Sequence, residues 1–253
     1  MIKQALFDFK EIFDKRLLEY FDDKIKEAKE TSEISIDMLK ILKEFTLSGG
    51  KRIRPALVYY SYLCFCSENL DEAIKAGIAA ELVQSFLLIH DDIMDNDELR
   101  RGQPTVHKTY SDFFKEKHLG LSLAIICGDL ACSLANELLM SLNLPSERKI
   151  KAGKLLNEVL NKVAFGQELD IISSRQKEIT ENELFKIHNL KTAKYTFEGP
   201  LLVGAMLAGA KPVDIEILKQ YSSPIGLAFQ LQDDELGLFG DEKKLGKPIG
   251  SDI

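Results

Sequence analysis

Apolar residues recur at three- and four-residue steps along most of this chain, and strict apolar/polar alternation is absent over any useful length. In LFDFKEIFDKRLLEYF the series is Leu6, Phe9, Ile12, Phe13, Leu17 and Tyr20. On a helix that spacing gathers one apolar stripe, which must be buried against a neighbour. The stops are few: 16 glycines and 7 prolines, clustered rather than scattered. Gly49-Gly50 ends one helix and Pro55 can start the next. Gly102 and Pro104 close the helix that carries an acid-rich stretch. With no linker, low-complexity segment or short repeat, residues 1–253 read as a single all-α domain.

At 253 residues and 45% hydrophobic, the chain can bury a large core. Its net charge of -7 argues against nucleic acid as a partner. Cys64 with Cys66 and Cys127 with Cys132 form no CxxC, so four reduced thiols in a cytoplasmic protein are expected. The N-terminus carries charge throughout, and the apolar runs SLAIIC and PLLVGAMLAGA are too short for a transmembrane segment.

The stretch LLIHDDIMDNDELRRGQPTVH, residues 87–107, crowds acids together and follows them with Arg100 and Arg101. On a helix Asp91 and Asp95 lie one turn apart on one face, with Asp92 on the next. Carboxylates so placed repel, and a buried group of them requires a cation. Hard oxygen ligands select Mg²⁺, which takes one or two carboxylates and fills its remaining positions with water and substrate phosphates. Arg100 and Arg101 then fit as donors to the same phosphate oxygens. A solvated helix end is the plain alternative.

Four further stretches bear on the choice. GGKRIRP puts Lys51, Arg52 and Arg54 after a flexible turn; GQELD puts Gln167 and Asp170 near each other on a helix. KTAKYTF gives Lys191 beside Thr192, and FQLQDDELG supplies Asp233 and Asp234 with Gln230 one turn earlier. Taken together and in this order, these motifs make the chain, from about Gly49 to its last residue, resemble the trans-isoprenyl diphosphate synthases, the head-to-tail prenyltransferases.

The resemblance implies an all-α helical bundle around a central cavity, with two aspartate-rich helices facing each other. It implies an enzyme that condenses isopentenyl diphosphate with an allylic diphosphate, using up to three Mg²⁺ ions. Asp91, Asp92, Asp95, Asp233 and Asp234 would be the metal ligands. Arg100, Lys191 and Lys247 would grip the allylic diphosphate, and Lys51, Arg54, Gln84 and Arg101 would hold isopentenyl diphosphate. The carbonyl oxygens of Thr192 and Gln230 would face the carbocation. A homodimer is implied, with the helix around SLAIICGDLACSLANELLM as a candidate interface.

Two departures stand out. Gly237 occupies a place where many relatives carry a third aspartate, and the chain stops at GKPIGSDI where relatives continue for several helices. Product length should follow Phe86, five residues before Asp91, where an aromatic floors the cavity in the family, and Leu87, which is not aromatic. One aromatic and no insertion in DDIMD resembles the geranylgeranyl-making pattern, with a farnesyl diphosphate synthase as the alternative. A terpene cyclase would lack GGKRIRP, and a non-catalytic partner subunit would typically have lost an aspartate motif.

Overall fold

The computed structural model describes residues 2–30, 32–176 and 178–239, and the fold is all-α. Lys247 and the rest of the GKPIGSDI end lie outside the described residues. The helices are α1 (Ile2–Ala28), α2 (Glu33–Leu47), α3 (Ile53–Phe65), α4 (Leu70–Met94), α5 (Val106–Phe114) and α6 (Lys117–Ser141). They continue as α7 (Ser146–Ser173), α8 (Glu181–His188), a π-helix (Asn189–Glu198), α9 (Gly199–Ala208) and α10 (Pro212–Phe239). Between α4 and α5, β1 (Leu99–Arg100) and β2 (Gln103–Pro104) pair as a minimal antiparallel hairpin.

Local chemistry sets several of the starts. The Ser32 side chain accepts from the Ser35 N–H at the head of α2. Thr180 and Glu183 form a reciprocal capping box at the head of α8. Pro55 falls in the first turn of α3, where its missing N–H leaves no helical bond unmade.

The helices group into two compact units. The first comprises Met1–Arg52 and Gly77–Leu138. Here α1 packs on α2 and buries Phe9, Phe13, Leu17 and Phe21, the four-residue series of its apolar stripe. Ile12, expected in that stripe, is 56% exposed. Leu82, Val83 and Ile89 of α4 and Ala124, Cys127 and Ala131 of α6 are also buried. The His90 ring meets α6 beside Gly128, with Nε2 3.2 Å from the Ile125 carbonyl.

The second unit comprises Ile53–Ala76 and Leu139–Ile253. In it α9, buried nearly all round, packs against α3 and α7, and α10 lies along the π-helix with Phe229 edge-on to Phe197 at 5.3 Å. A side chain at Gly166 of α7 would collide with the Lys191 nitrogen at 2.6 Å, so glycine lets the π-helix lie directly on α7.

Among the described residues two helices, α4 and α6, are long and apolar enough to cross a membrane by length and composition, so SLAIIC belongs to a longer apolar helix than the run itself indicates. Over the apolar window α4 is 56% and α6 39% buried within the protein, and both also fit as packed helices of a bundle. All four cysteines are free.

Candidate active site

In the first unit the acid-rich stretch begins on α4 and turns away sooner than its sequence suggests. The helix ends at Met94, not near Gly102, because Asn96 adopts the left-handed conformation (φ 56°). The Asp97 N–H then donates to the Asp92 carbonyl at 2.9 Å, and the Asn96 N–H to the Ile93 carbonyl at 3.3 Å. That is a Schellman closure. Asp95, just past the helix, still donates its N–H to the Asp91 carbonyl at 2.9 Å, so the two stay one turn apart. Three acids thus crowd the C-terminal end of a helix, where its dipole already places negative charge. Electrostatics there calls for a cation.

Part of that demand is met within the chain. Asp92 is fully buried, and Arg100 Nε donates to its Oδ1 at 2.5 Å while Nη2 lies 3.6 Å from Asp91 Oδ2. Asp92 Oδ2 is buried with no hydrogen-bond partner among the described residues. Burial pushes the Asp92 carboxyl up to about 6, with Arg100 working in the opposite direction.

The hairpin aims the two arginines differently. Leu99 pairs with Pro104 and Arg100 with Gln103, leaving Arg101 and Gly102 as a two-residue turn, both with positive φ (53° and 75°). This is the twist a tight hairpin prefers. Arg100 returns to Asp92, whereas Arg101 is exposed and its Nη1 donates to the Gly49 carbonyl at 2.8 Å. Gly49 and Gly50 carry φ values of 126° and 111°, open to glycine and costly for other residues, and Lys51 beside them is exposed. Gln84, Phe86 and Leu87 are half-buried on α4, and the Phe86 ring stands edge-on to His90 at 4.9 Å. Leu87 is one turn before Asp91 on its face, while Phe86 lies roughly 140° around the helix from Asp91.

Other expected residues stand on elements of the second unit. Arg54, in the first turn of α3, donates from Nη2 to Thr196 Oγ1 at 2.7 Å, and its guanidinium carbon is 4.6 Å from the centre of the Tyr195 ring. Its Nε is buried without a partner among the described residues. Lys191 Nζ donates to Asp170 Oδ2 at 2.7 Å, and Gln167 is buried one turn before Asp170. Lys191 and Thr192 lie in the π-helix, a wide-turned form common at functional sites. Gln230 is half-buried on α10, and positions 233 and 234 follow on the same helix. The side chains at Thr192, Asp233 and Asp234 are outside the description.

Sequence reasoning missed Tyr195 and Thr196 as partners of Arg54. They follow the KTA motif after Lys194, but nothing local links Thr196 to a residue 142 positions earlier.

Among the described residues no three His, Cys, Asp or Glu side chains converge as a metal site. Asp91 and Asp95 nevertheless fit Mg²⁺. They are a pair of hard oxygen donors one turn apart, and this ion needs only one or two carboxylates when water and phosphate oxygens complete its shell.

The Asp91–Asp95 pair at the end of a helix, with Arg100 against Asp91, thus stands in an all-α fold. The chain belongs to the polyprenyl synthetase family, whose sequence model matches residues 37–253. It is 36% identical over 242 residues to the short chain isoprenyl diphosphate synthase of Methanocaldococcus jannaschii, covering 96% of this chain and 69% of that protein. The geranylgeranyl diphosphate synthase of Sulfolobus acidocaldarius is 38% identical over 248 residues, covering 93% and 72%. A crystal structure of the geranylgeranyl pyrophosphate synthase from Corynebacterium glutamicum, complexed with isoprenyl diphosphate and magnesium, superposes with a TM-score of 0.90. That protein is 34% identical, and the match covers 97% of this chain and 72% of that one.

Proposed function

We propose that this chain is a Mg²⁺-dependent short-chain trans-prenyltransferase, which condenses isopentenyl diphosphate with an allylic diphosphate to give geranylgeranyl diphosphate. The observation that carries the reading is the Asp91–Asp95 pair at the negative end of α4 with Arg100 against it, in a member of the polyprenyl synthetase family.

The roles follow the chemistry. Asp91 and Asp95, supported by Asp92, Asp233 and Asp234, would hold Mg²⁺, which when bound supplies positive charge to the diphosphate oxygens. Arg100, Lys191 and Lys247 take the allylic diphosphate and stabilise the negative charge it gains as its C–O bond breaks. Lys51, Arg54, Gln84 and Arg101 take isopentenyl diphosphate and fix its double bond for attack on the allylic cation, so the addition is effectively intramolecular. The new C–C bond leaves a tertiary cation, which loses a proton to the released diphosphate. The carbonyl oxygens of Thr192 and Gln230 offset positive charge during these steps. Thr192's position in a π-helix, where the regular i→i+4 pairing is interrupted, supports that role.

Two further features belong to the same reading. Four free thiols support a reducing, cytosolic compartment. Ile125 and Ile126, 45% and 51% exposed on α6, support a face that a second copy of the chain covers. Sedimentation at micromolar concentration reads that directly, and a monomer mass contradicts it.

Incubation with Mg²⁺, isopentenyl diphosphate and, separately, dimethylallyl, geranyl and farnesyl diphosphate tests the activity. All three primers should be extended to a twenty-carbon product; arrest at fifteen carbons makes the chain a farnesyl diphosphate synthase.

A further inference from the structure

Arg52 follows the exposed Lys51, yet its own side chain is fully buried. Its backbone is left-handed (φ 54°), a conformation that costs a residue with a Cβ roughly 1 kcal/mol or more. Three helices hold that one side chain. Nε donates to Asp14 Oδ1 of α1 at 2.7 Å, and Nη1 donates to the Thr46 carbonyl of α2 at 3.0 Å and to Glu81 of α4. The guanidinium carbon lies 6.0 Å from the centre of the Phe13 ring.

A buried ion pair is a poor source of stability, since desolvation cancels most of its attraction and apolar residues of similar size often do better. What it supplies is direction, because a guanidinium between two carboxylates accepts few positions. The turn fixed in this way is the one that carries Lys51 and contacts Arg101. Arg101 Nη1 bonds the Gly49 carbonyl at 2.8 Å, and a Cβ at Gly50 would sit 3.4 Å from Arg101 Nη2, so the guanidinium rests on the turn.

We propose that Asp14 and Glu81 are positioning residues for isopentenyl diphosphate. They clamp Arg52 from beneath, and Arg52 sets the Gly49–Lys51 turn that places Lys51 and supports Arg101. Asp14 lies before residue 37, outside the segment matched by the family model. The inference rests on the reading of Lys51 and Arg101 as ligands of that diphosphate.

The test is steady-state kinetics on the full chain with Mg²⁺, varying each substrate in turn. Asp14→Ala should raise the KM for isopentenyl diphosphate about tenfold, the equivalent of roughly 1.4 kcal/mol of misplaced contact, and leave the allylic KM and kcat within about twofold. Asp14→Asn, whose amide oxygen still accepts from Arg52, should recover most of the loss. Glu81→Ala, which removes the other carboxylate acceptor of Arg52, should show the same selective rise, and it reads the same ratio if Asp14→Ala does not fold. Equal rises in both KM values, or a lower Tm with neither KM changed, would overturn the inference while leaving the wild-type activity intact. Wild-type protein that incorporates no isopentenyl diphosphate would instead overturn the reading of the site, and the inference with it.

Discussion

Arg100 holds two aspartates at once: its Nε donates to the buried Oδ1 of Asp92 at 2.5 Å, and its Nη2 lies 3.6 Å from Oδ2 of Asp91. One cation therefore serves the interior and the candidate metal pair together. A residue with both duties should show both losses when it is removed.

Arg100→Ala should lower stability by about 2 kcal/mol, below the usual cost of breaking a buried pair because Asp92 can take up a proton instead. Adding Asp92→Asn should restore most of that stability without restoring affinity for the allylic diphosphate. Urea denaturation of the single and double variants, with kinetics on both, checks the separation. Full kinetic rescue by Asp92→Asn would mean that Arg100 acts only through packing.

The two substrates should respond to different basic residues. Lys51→Ala and Arg54→Ala should raise the KM for isopentenyl diphosphate by about tenfold or more and change the allylic KM little, and Arg100→Ala should do the reverse. Equal effects on both substrates would contradict the division. Arg54→Ala also removes the bond to Thr196 and the contact with the Tyr195 ring, so its Tm should fall more than that of Lys51→Ala, whose side chain is exposed.

The helical fold was legible because apolar spacing is a local signal, and α1 shows both its strength and its limit. Phe9, Phe13 and Leu17 are buried as expected, but Phe21 completes the series and Ile12 points outward, since steps of four follow the contact line with α2 more closely than mixed steps do. The end of α4 was misread by several residues. Asn96 is one of the few residues that enter the left-handed conformation readily, but in a run of acids it carried no visible stop. The Asp14–Arg52–Glu81 cluster was hidden for another reason: its members are 38 and 29 positions apart, and such pairings arise only from packing. Glu81 did leave a trace, as a lone acid in the apolar run GIAAELVQSFLLI, where burial demands a cationic partner.

Product length should follow α4. Phe86→Ala should lengthen the product beyond twenty carbons, and Leu87→Phe, one turn before Asp91 on its own face, should shorten it. Chromatography of the dephosphorylated products decides; an unchanged distribution from both folded variants would show that neither residue limits the chain.

His107 gives a pH-dependent component of stability. Burial, and secondarily Lys117, lowers its folded pKa below the usual histidine value, and Nδ1 stands 3.3 Å from Thr105 Oγ1. Folding therefore favours the neutral ring. Its contribution is present above the unfolded pKa of about 6.5 and is lost as pH falls through the folded value. Asp92, raised to about 6, titrates nearby with the opposite sign, so the informative quantity is parent minus His107→Gln. As pH falls below about 6.5, Tm should drop more for the parent than for His107→Gln. Parallel curves would contradict the assignment.

The central claim is that Asp91 and Asp95 bring a divalent cation to an allylic diphosphate so that isopentenyl diphosphate can be added. Its most direct test is incorporation of labelled isopentenyl diphosphate into farnesyl diphosphate by the parent, by the parent with excess chelator, and by Asp91→Ala and Asp95→Ala. The parent with Mg²⁺ should form a twenty-carbon diphosphate, chelation should abolish it, and each substitution should cost about a thousandfold or more in turnover, the equivalent of several kcal/mol of uncompensated charge. Near-normal turnover by Asp91→Ala, or product formation indifferent to the chelator, would contradict it.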